Sequence, residues 1–194
     1  HLKIPTTQSD PLCDGEYCFD EILLRPLRNK LNNLTHDNTL IVLHMIGSHG
    51  PTYFKRYPVD KRTFFPDCQR SDIQNCSQEQ LVNTYDNTIS YTDFVLSKIV
   101  SELNALTKKE DILTSMLYVS DHGESLGEKG VYLHGIPYAF APKEQTHIPM
   151  LFWTSKKHSS FNLNCLNSMA DNSFSHDNVF DTLLSIMSVK SNTY

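Results

Sequence analysis

The sequence predicts an α/β domain with a largely parallel sheet covered by helices, and three observations carry that prediction. Short apolar runs at 40–46, 116–120 and 149–153 are each bounded by turn chemistry. A long amphipathic stretch separates the first run from the second, and a shorter one lies near the end of the chain. Strand, long helix, strand, strand, helix is the order such a domain produces.

Each element has its own warrant. Leu40-Ile-Val-Leu-His-Met-Ile46 ends at Gly47, Met116-Leu-Tyr-Val-Ser120 runs into Asp121, and Pro149-Met-Leu-Phe-Trp153 is closed by polar residues. Short runs rich in aliphatic and aromatic side chains suit central strands buried on both faces. Ser77 and Gln80 have the spacing of a capping box and open the long helix. Val82, Tyr85, Ile89, Leu96, Ile99, Leu103 and Leu106 then recur at spacings compatible with one helical face, interrupted by Thr92. The shorter helix is expected over 178–187, with Val179, Phe180, Leu183, Leu184 and Met187 inward and Ser175 or Asp177 as its cap. Residues 50–76 and 123–147 are long loops that directly follow strand ends, where function concentrates. No repeat, low-complexity tract or internal boundary divides residues 1–194, which are read as one domain or a large piece of one.

Composition excludes several classes. A chain of 194 residues with 39% hydrophobic and 20% charged residues can bury a core. A net charge of −5 argues against nucleic acid as a partner. No apolar run approaches the roughly 20 residues that span a bilayer. The chain opens at His1 with no signal-peptide pattern and is expected to be a processed or excised segment.

Five cysteines need an explanation. Cys13 and Cys18 enclose a turn signal at Asp14-Gly15, and Cys68 and Cys76 flank a polar loop. Cysteines at the two ends of short loops suit disulfides, hence an oxidising compartment such as the periplasm. The alternative is free or metal-binding thiols, although no CxxC pair marks a zinc knuckle. Cys165 has no evident partner.

The sharpest chemical feature is Tyr118-Val-Ser-Asp-His-Gly-Glu-Ser125. A strand delivers Asp121 and His122 to its C-terminal end, and carboxylate and imidazole are both zinc ligands. Adjacent strand residues face opposite ways, so Gly123 is expected to let the chain turn and bring both to one ion. His49 follows the first apolar run between Ser48 and Gly50, and His134 lies in a loop bracketed by Gly130 and Gly135. A single loop histidine is ordinarily a surface residue; three beside glycines near predicted strand ends can converge on one crevice. His44, inside an apolar run, is read as a hydrogen-bonded core residue. His1, His36, His147, His158 and His176 are read as bystanders.

At this point several blocks, in order along the chain, resemble one family. Leu43-His-Met-Ile-Gly-Ser-His-Gly-Pro-Thr-Tyr53, Gln80-Leu-Val-Asn-Thr-Tyr-Asp-Asn-Thr88, Val119-Ser-Asp-His-Gly-Glu-Ser-Leu-Gly127, Tyr132-Leu-His-Gly135 and Ser175-His-Asp-Asn178 resemble the lipid A phosphoethanolamine transferases. That family includes the mobile colistin-resistance enzymes and belongs to the alkaline-phosphatase and sulfatase superfamily. The resemblance implies an incomplete sulfatase-like fold, zinc held by Asp121 and His122, and His49 and His134 binding substrate phosphate or a second zinc and moving protons. It implies transfer of phosphoethanolamine from phosphatidylethanolamine to a lipid A phosphate through a phosphorylated threonine, at the periplasmic face of the inner membrane. The resulting loss of outer-membrane negative charge gives polymyxin resistance. The family's threonine, an acidic zinc ligand and its membrane-spanning domain would all fall before His1. A terminal cysteine beyond Tyr194 would be the partner of Cys165. Three alternatives compete: transfer to an inner-core sugar or glucan, a sulfatase or phosphoester hydrolase of the superfamily, and a secreted binding module with structural histidines.

Overall fold

The computed structural model describes residues 9–35, 38–155 and 161–190. Its backbone is the helix α2, Gln78–Glu110. Both halves of the Ser77–Gln80 capping box form, and Asp111 ends the helix in the left-handed region with its N–H bonded to the Thr107 carbonyl. The buried stripe differs from the expected one: Leu81, Thr84, Thr88, Tyr91, Val95 and Ile99 face inward, whereas Ile89 is exposed. Thr92 is part of the buried face rather than a break in it. The polar members of the stripe have a structural task. Thr84 Oγ1 accepts from the Cys68 N–H at 2.6 Å, and Asn87 Oδ1 accepts from the N–H groups of Thr63 and Phe64 at 2.7 and 2.9 Å. The loop at 50–76 has no regular structure beyond three single turns, and the helix satisfies part of its backbone for it.

A second helix, α1 at Leu24–Asn32, packs Leu24, Leu27 and Leu31 against α2. The sequence reading assigned no element there. Pro26 lies in its first turn, where a missing N–H costs little. With Tyr57, Tyr91, Val95, Leu96, Ile99 and Leu106 these leucines form the larger core; Tyr53, Ile73, Leu81 and Leu126 form a smaller one beneath the site.

Two of the three expected strands form. β1 (Ser115–Val119) and β4 (Met150–Thr154) pair with Ser115 opposite Thr154 and Val119 opposite Met150. A short hairpin joins β2 (Ser125–Leu126) to β3 (Tyr132–Leu133). The α/β class holds, but both described pairings are antiparallel, against the expectation of a largely parallel sheet. Among the described residues between β1 and β4 are one 3-10 turn, Glu128–Gly130, and the helix α3, Lys143–Thr146, both too short to carry a parallel crossover. Residues 40–46 form no regular element and no ladder among the described residues. Ile41, Leu43 and Met45 pack on the larger core while Val42 is 79% exposed, so the run alternates instead of being covered on both faces. His44 is exposed with the outer set, not in the core.

α4 covers Leu163–Met169 and α5 covers Asp177–Ile186. Val179, Leu183, Leu184 and Met187 of the second are half-buried, but Phe180, expected inward, is 61% exposed. Cys13 is bonded to Cys18 and Cys68 to Cys76, and Cys165 is free and exposed.

Candidate active site

The three histidines singled out by their glycine neighbours converge. The rings of His122 and His134 stack at 3.9 Å, and His49 stands edge-on to both, 5.1 Å from His134 and 6.2 Å from His122. His122 follows the end of β1, His134 follows β3, and His49 follows the apolar run 40–46. The bystander His176 reaches the rim: its Nε2 lies 2.8 Å from the Ser120 carbonyl, which ties the start of α5 to the end of β1. His147 joins no part of the cluster, and His1, His36 and His158 lie outside the described residues.

The hydrogen bonds decide how the rings are presented. His49 Nδ1 lies 2.7 Å from the Gly50 carbonyl, His122 Nδ1 3.0 Å from the Gly123 carbonyl, and His134 Nδ1 3.1 Å from Oε1 of Glu124. Each partner oxygen only accepts, so Nδ1 carries the proton and Nε2 keeps its lone pair. Three imidazoles thus offer the nitrogen suited to a metal or a proton.

Glu124 is the residue that sequence reasoning missed. Its side chain is 3% exposed, and Oε1 accepts both from His134 and from the Gly50 N–H at 3.1 Å. It therefore links the loops bearing His49 and His134. Oε2 is buried without a hydrogen bond, as is the hydroxyl of Tyr53, whose pKa is pushed far above the phenol range by burial and by the Glu124 charge. The only signal in sequence was its place two residues beyond His122.

Gly123 acts by a different means than expected. A Cβ there would stand 2.1 Å from the Glu144 carbonyl oxygen, and its N–H donates to the Gln145 carbonyl at 2.9 Å. It is close backbone approach that demands glycine, not a sharp turn. Leu133, just before His134, has a left-handed φ of 62°, a strained geometry that Gln145 fastens by donating to its carbonyl at 2.9 Å.

Two candidate donor sets for a metal overlap at His122. Ligand atoms of His122, Glu124 and His134 all lie within 4.8 Å of one another. Asp121, 83% exposed at its side chain, places Oδ2 3.8 Å from His122 Nε2. A tetrahedral ion with bonds of about 2.0 Å sets its ligands roughly 3.3 Å apart, so that pair fits one zinc with a small adjustment. Glu124 Oε1 is already engaged by two donors, which suits it to orienting His134 rather than to primary ligation.

The chain belongs to the sulfatase family, whose pattern it matches over residues 4–189. Within that family it is similar to phosphoethanolamine transferases. It is 48% identical over its whole length to phosphoethanolamine transferase EptA of Escherichia coli K12, of which it covers 36%. It is 45% identical over 77% of its length to phosphatidylethanolamine transferase Mcr-1 of Escherichia coli, of which it covers 26%. Its fold superimposes on the soluble domain of lipooligosaccharide phosphoethanolamine transferase A from Neisseria meningitidis with a TM-score of 0.88 at 43% identity, covering 95% of this chain and 56% of that one. The C-terminal periplasmic domain of phosphoethanolamine transferase EptC from Campylobacter jejuni gives 0.83 at 47%, covering 91% of this chain and 55% of that one. The chain spans about a third of the length of the curated relatives it matches. Among the described residues no helix is long and apolar enough to cross a membrane.

Proposed function

We propose that this chain is the later part of a zinc-dependent catalytic domain that moves phosphoethanolamine from phosphatidylethanolamine to a lipid A phosphate at the periplasmic face of the inner membrane. The observation that carries the reading is the convergence of His49, His122 and His134, each with Nδ1 engaged by a carbonyl or carboxylate oxygen. Family membership and similarity to named phosphoethanolamine transferases support the reaction class.

Asp121 and His122 would hold zinc, and the charge of the ion, when bound, steadies phosphoryl oxygens and favours deprotonation of a coordinated hydroxyl. The nucleophile in this proposal is a threonine of a segment upstream of His1, which takes the phosphoethanolamine and then passes it on. This chain's part is proton and charge handling. His134 Nε2 accepts the proton of the attacking hydroxyl and returns it to the departing oxygen, while Glu124 on Nδ1 offsets the imidazolium charge. His49 in its imidazolium form, with Nδ1–H on the Gly50 carbonyl and a second proton on Nε2, donates to the oxygens on which charge gathers. The same work would serve transfer to a sugar or glucan, so the acceptor is tested directly. Covering lipid A phosphates with an ammonium group would lower outer-membrane negative charge and weaken polymyxin binding. In this proposal a membrane domain of the longer protein anchors the site.

The test uses the complete natural-length protein with a labelled phosphatidylethanolamine and lipid A. Diacylglycerol release should match lipid A molecules gaining one phosphoethanolamine by mass spectrometry. Asp121→Ala and His122→Ala should each abolish transfer and lower zinc stoichiometry. Release of free phosphoethanolamine at the same rate with and without acceptor would mean a hydrolase, and full activity of either variant would remove the zinc assignment.

A further inference from the structure

The segment that carries His49 has no strand ladder to hold it among the described residues, yet each of residues 46–50 is held by a side chain from elsewhere. The N–H groups of Ile46 and Gly47 donate to Oδ1 and Oδ2 of Asp20, both at 2.8 Å. Ser48 and Thr88 share a hydroxyl hydrogen bond at 2.7 Å. The His49 carbonyl accepts from Arg56 Nε at 2.8 Å, and Arg56 Nη2 donates to Thr52 Oγ1 at 2.9 Å. Gly50 donates to Glu124, as described above.

Asp20 and Arg56 are the unusual members of this set, because they are 7% and 4% exposed and charged. Burying a carboxylate and a guanidinium costs several kcal/mol per ion, and core packing explains neither. The Asp20 carboxylate meets two consecutive amide N–H groups, one with each oxygen. Gly47 has φ +55°, and consecutive backbone N–H groups around such a residue form a concave nest. Arg56 lies over the Tyr17 ring at 4.8 Å, so the segment 17–20, fastened at Cys18 by the bridge to Cys13, brings both partners to the same turn.

We infer that Asp20 and Arg56 are positioning residues that clamp the backbone of residues 46–52 and thereby fix His49 against His122 and His134. Asp20 fixes the start of the turn through two amide donors, and Arg56 fixes its far side through the His49 carbonyl itself. Neither has to touch substrate to matter, since displacement of a reacting or stabilising group by about 1 Å can cost on the order of a hundredfold in rate. The functional weight of the clamp rests on the site reading proposed above; its effect on the His49 ring does not.

The experiment compares Asp20→Asn, Arg56→Lys and a core control, Leu27→Ala, in the complete natural-length protein. Asp20→Asn keeps shape but loses the charge and one of two acceptor atoms, and Arg56→Lys keeps charge but loses the planar fork. Expected for both is a fall in kcat of about tenfold or more with KM within about threefold and zinc stoichiometry unchanged. Their loss of Tm should be no larger than that of Leu27→Ala, which should retain kcat. The second readout is the histidine ring NMR spectrum of the metal-free protein: His49 signals should shift in both clamp variants while those of His147 stay in place. Unmoved His49 signals together with a parental kcat would overturn the inference. So would a loss of kcat that merely tracks Tm across all three variants. Should Asp20→Asn not fold, Arg56→Lys carries the same comparison, and should the parent show no transfer activity, the His49 spectrum decides alone.

Discussion

Replacing Glu124 tests whether the site is held by its own internal hydrogen bonds. The Glu124 carboxylate satisfies the buried Gly50 N–H and the His134 Nδ1–H through one oxygen. Glu124→Ala strands the Gly50 donor, at a cost of about 1–3 kcal/mol, and adds roughly 1 kcal/mol for the space left by the lost methylene and carboxyl atoms. Release of the desolvated charge offsets part of this, leaving an expected destabilisation of about 2–3 kcal/mol. Glu124→Gln keeps an acceptor for Gly50 and fills the same space, so it should stay within about 1 kcal/mol of the parent. Both variants should lose activity, because a proton on His134 no longer has a neutralising carboxylate beside it. The assay is urea denaturation at neutral pH with the two midpoints compared at equal m-value. An alanine variant as stable as the glutamine variant would show that the Gly50–Glu124 bond holds nothing, and the linkage of the two histidine loops would have to be abandoned.

Two further outcomes follow from particular contacts. Gly123→Ala drives a methyl group to 2.1 Å from a backbone oxygen, which cannot swing away as a side chain can. It should cost more than about 2 kcal/mol in denaturation experiments and disturb both Asp121 and His122. Asp72, inside the Cys68–Cys76 loop, is held at about 2 by its hydrogen bonds to Arg70 and then Asn75. A depressed carboxyl pKa contributes stability above the unfolded value near 3.8 and loses it as pH falls from there through about 2. Parent and Asp72→Asn stability curves should therefore converge in acid, and salt should narrow their gap at neutral pH because the pair is exposed. A gap that persists below pH 2 would refute the assignment.

Local rules made part of this fold legible. The capping box at Ser77 and Gln80 is a contact over three residues, and helix α2 begins where it predicts. β1 and β4 could be read because each is a short apolar run with turn chemistry at both ends. Helix α1 escaped notice: its stripe is only Leu24, Leu27 and Leu31, and a proline stands in its first turn. The run at 40–46 has strand composition, but a ladder needs a partner strand, and no local pattern supplies one. Thr92 and Ile89 exchanged their expected environments because the helix turns its polar stripe toward a loop whose backbone needs donors and acceptors.

The chemical inventory of the site was legible in the chain before folding: three histidines beside glycines, an aspartate next to one of them, and two cysteine pairs closing short loops. It could be read because residue identity and short spacing are local properties. Tertiary packing set which imidazole nitrogen is engaged by a hydrogen bond, that Glu124 joins two histidine loops, and that Asp20 and Arg56 hold the third turn. Those contacts span 26 residues from Asp20 to Ile46 and 74 from Gly50 to Glu124. Their directions are set by how α2 and the loops around it pack, and what separates Glu124 from the other carboxylates is its place between the His134 ring and the Gly50 N–H. A hydrogen bond between distant residues leaves no periodicity behind it, so its partners become visible only when the chain is folded.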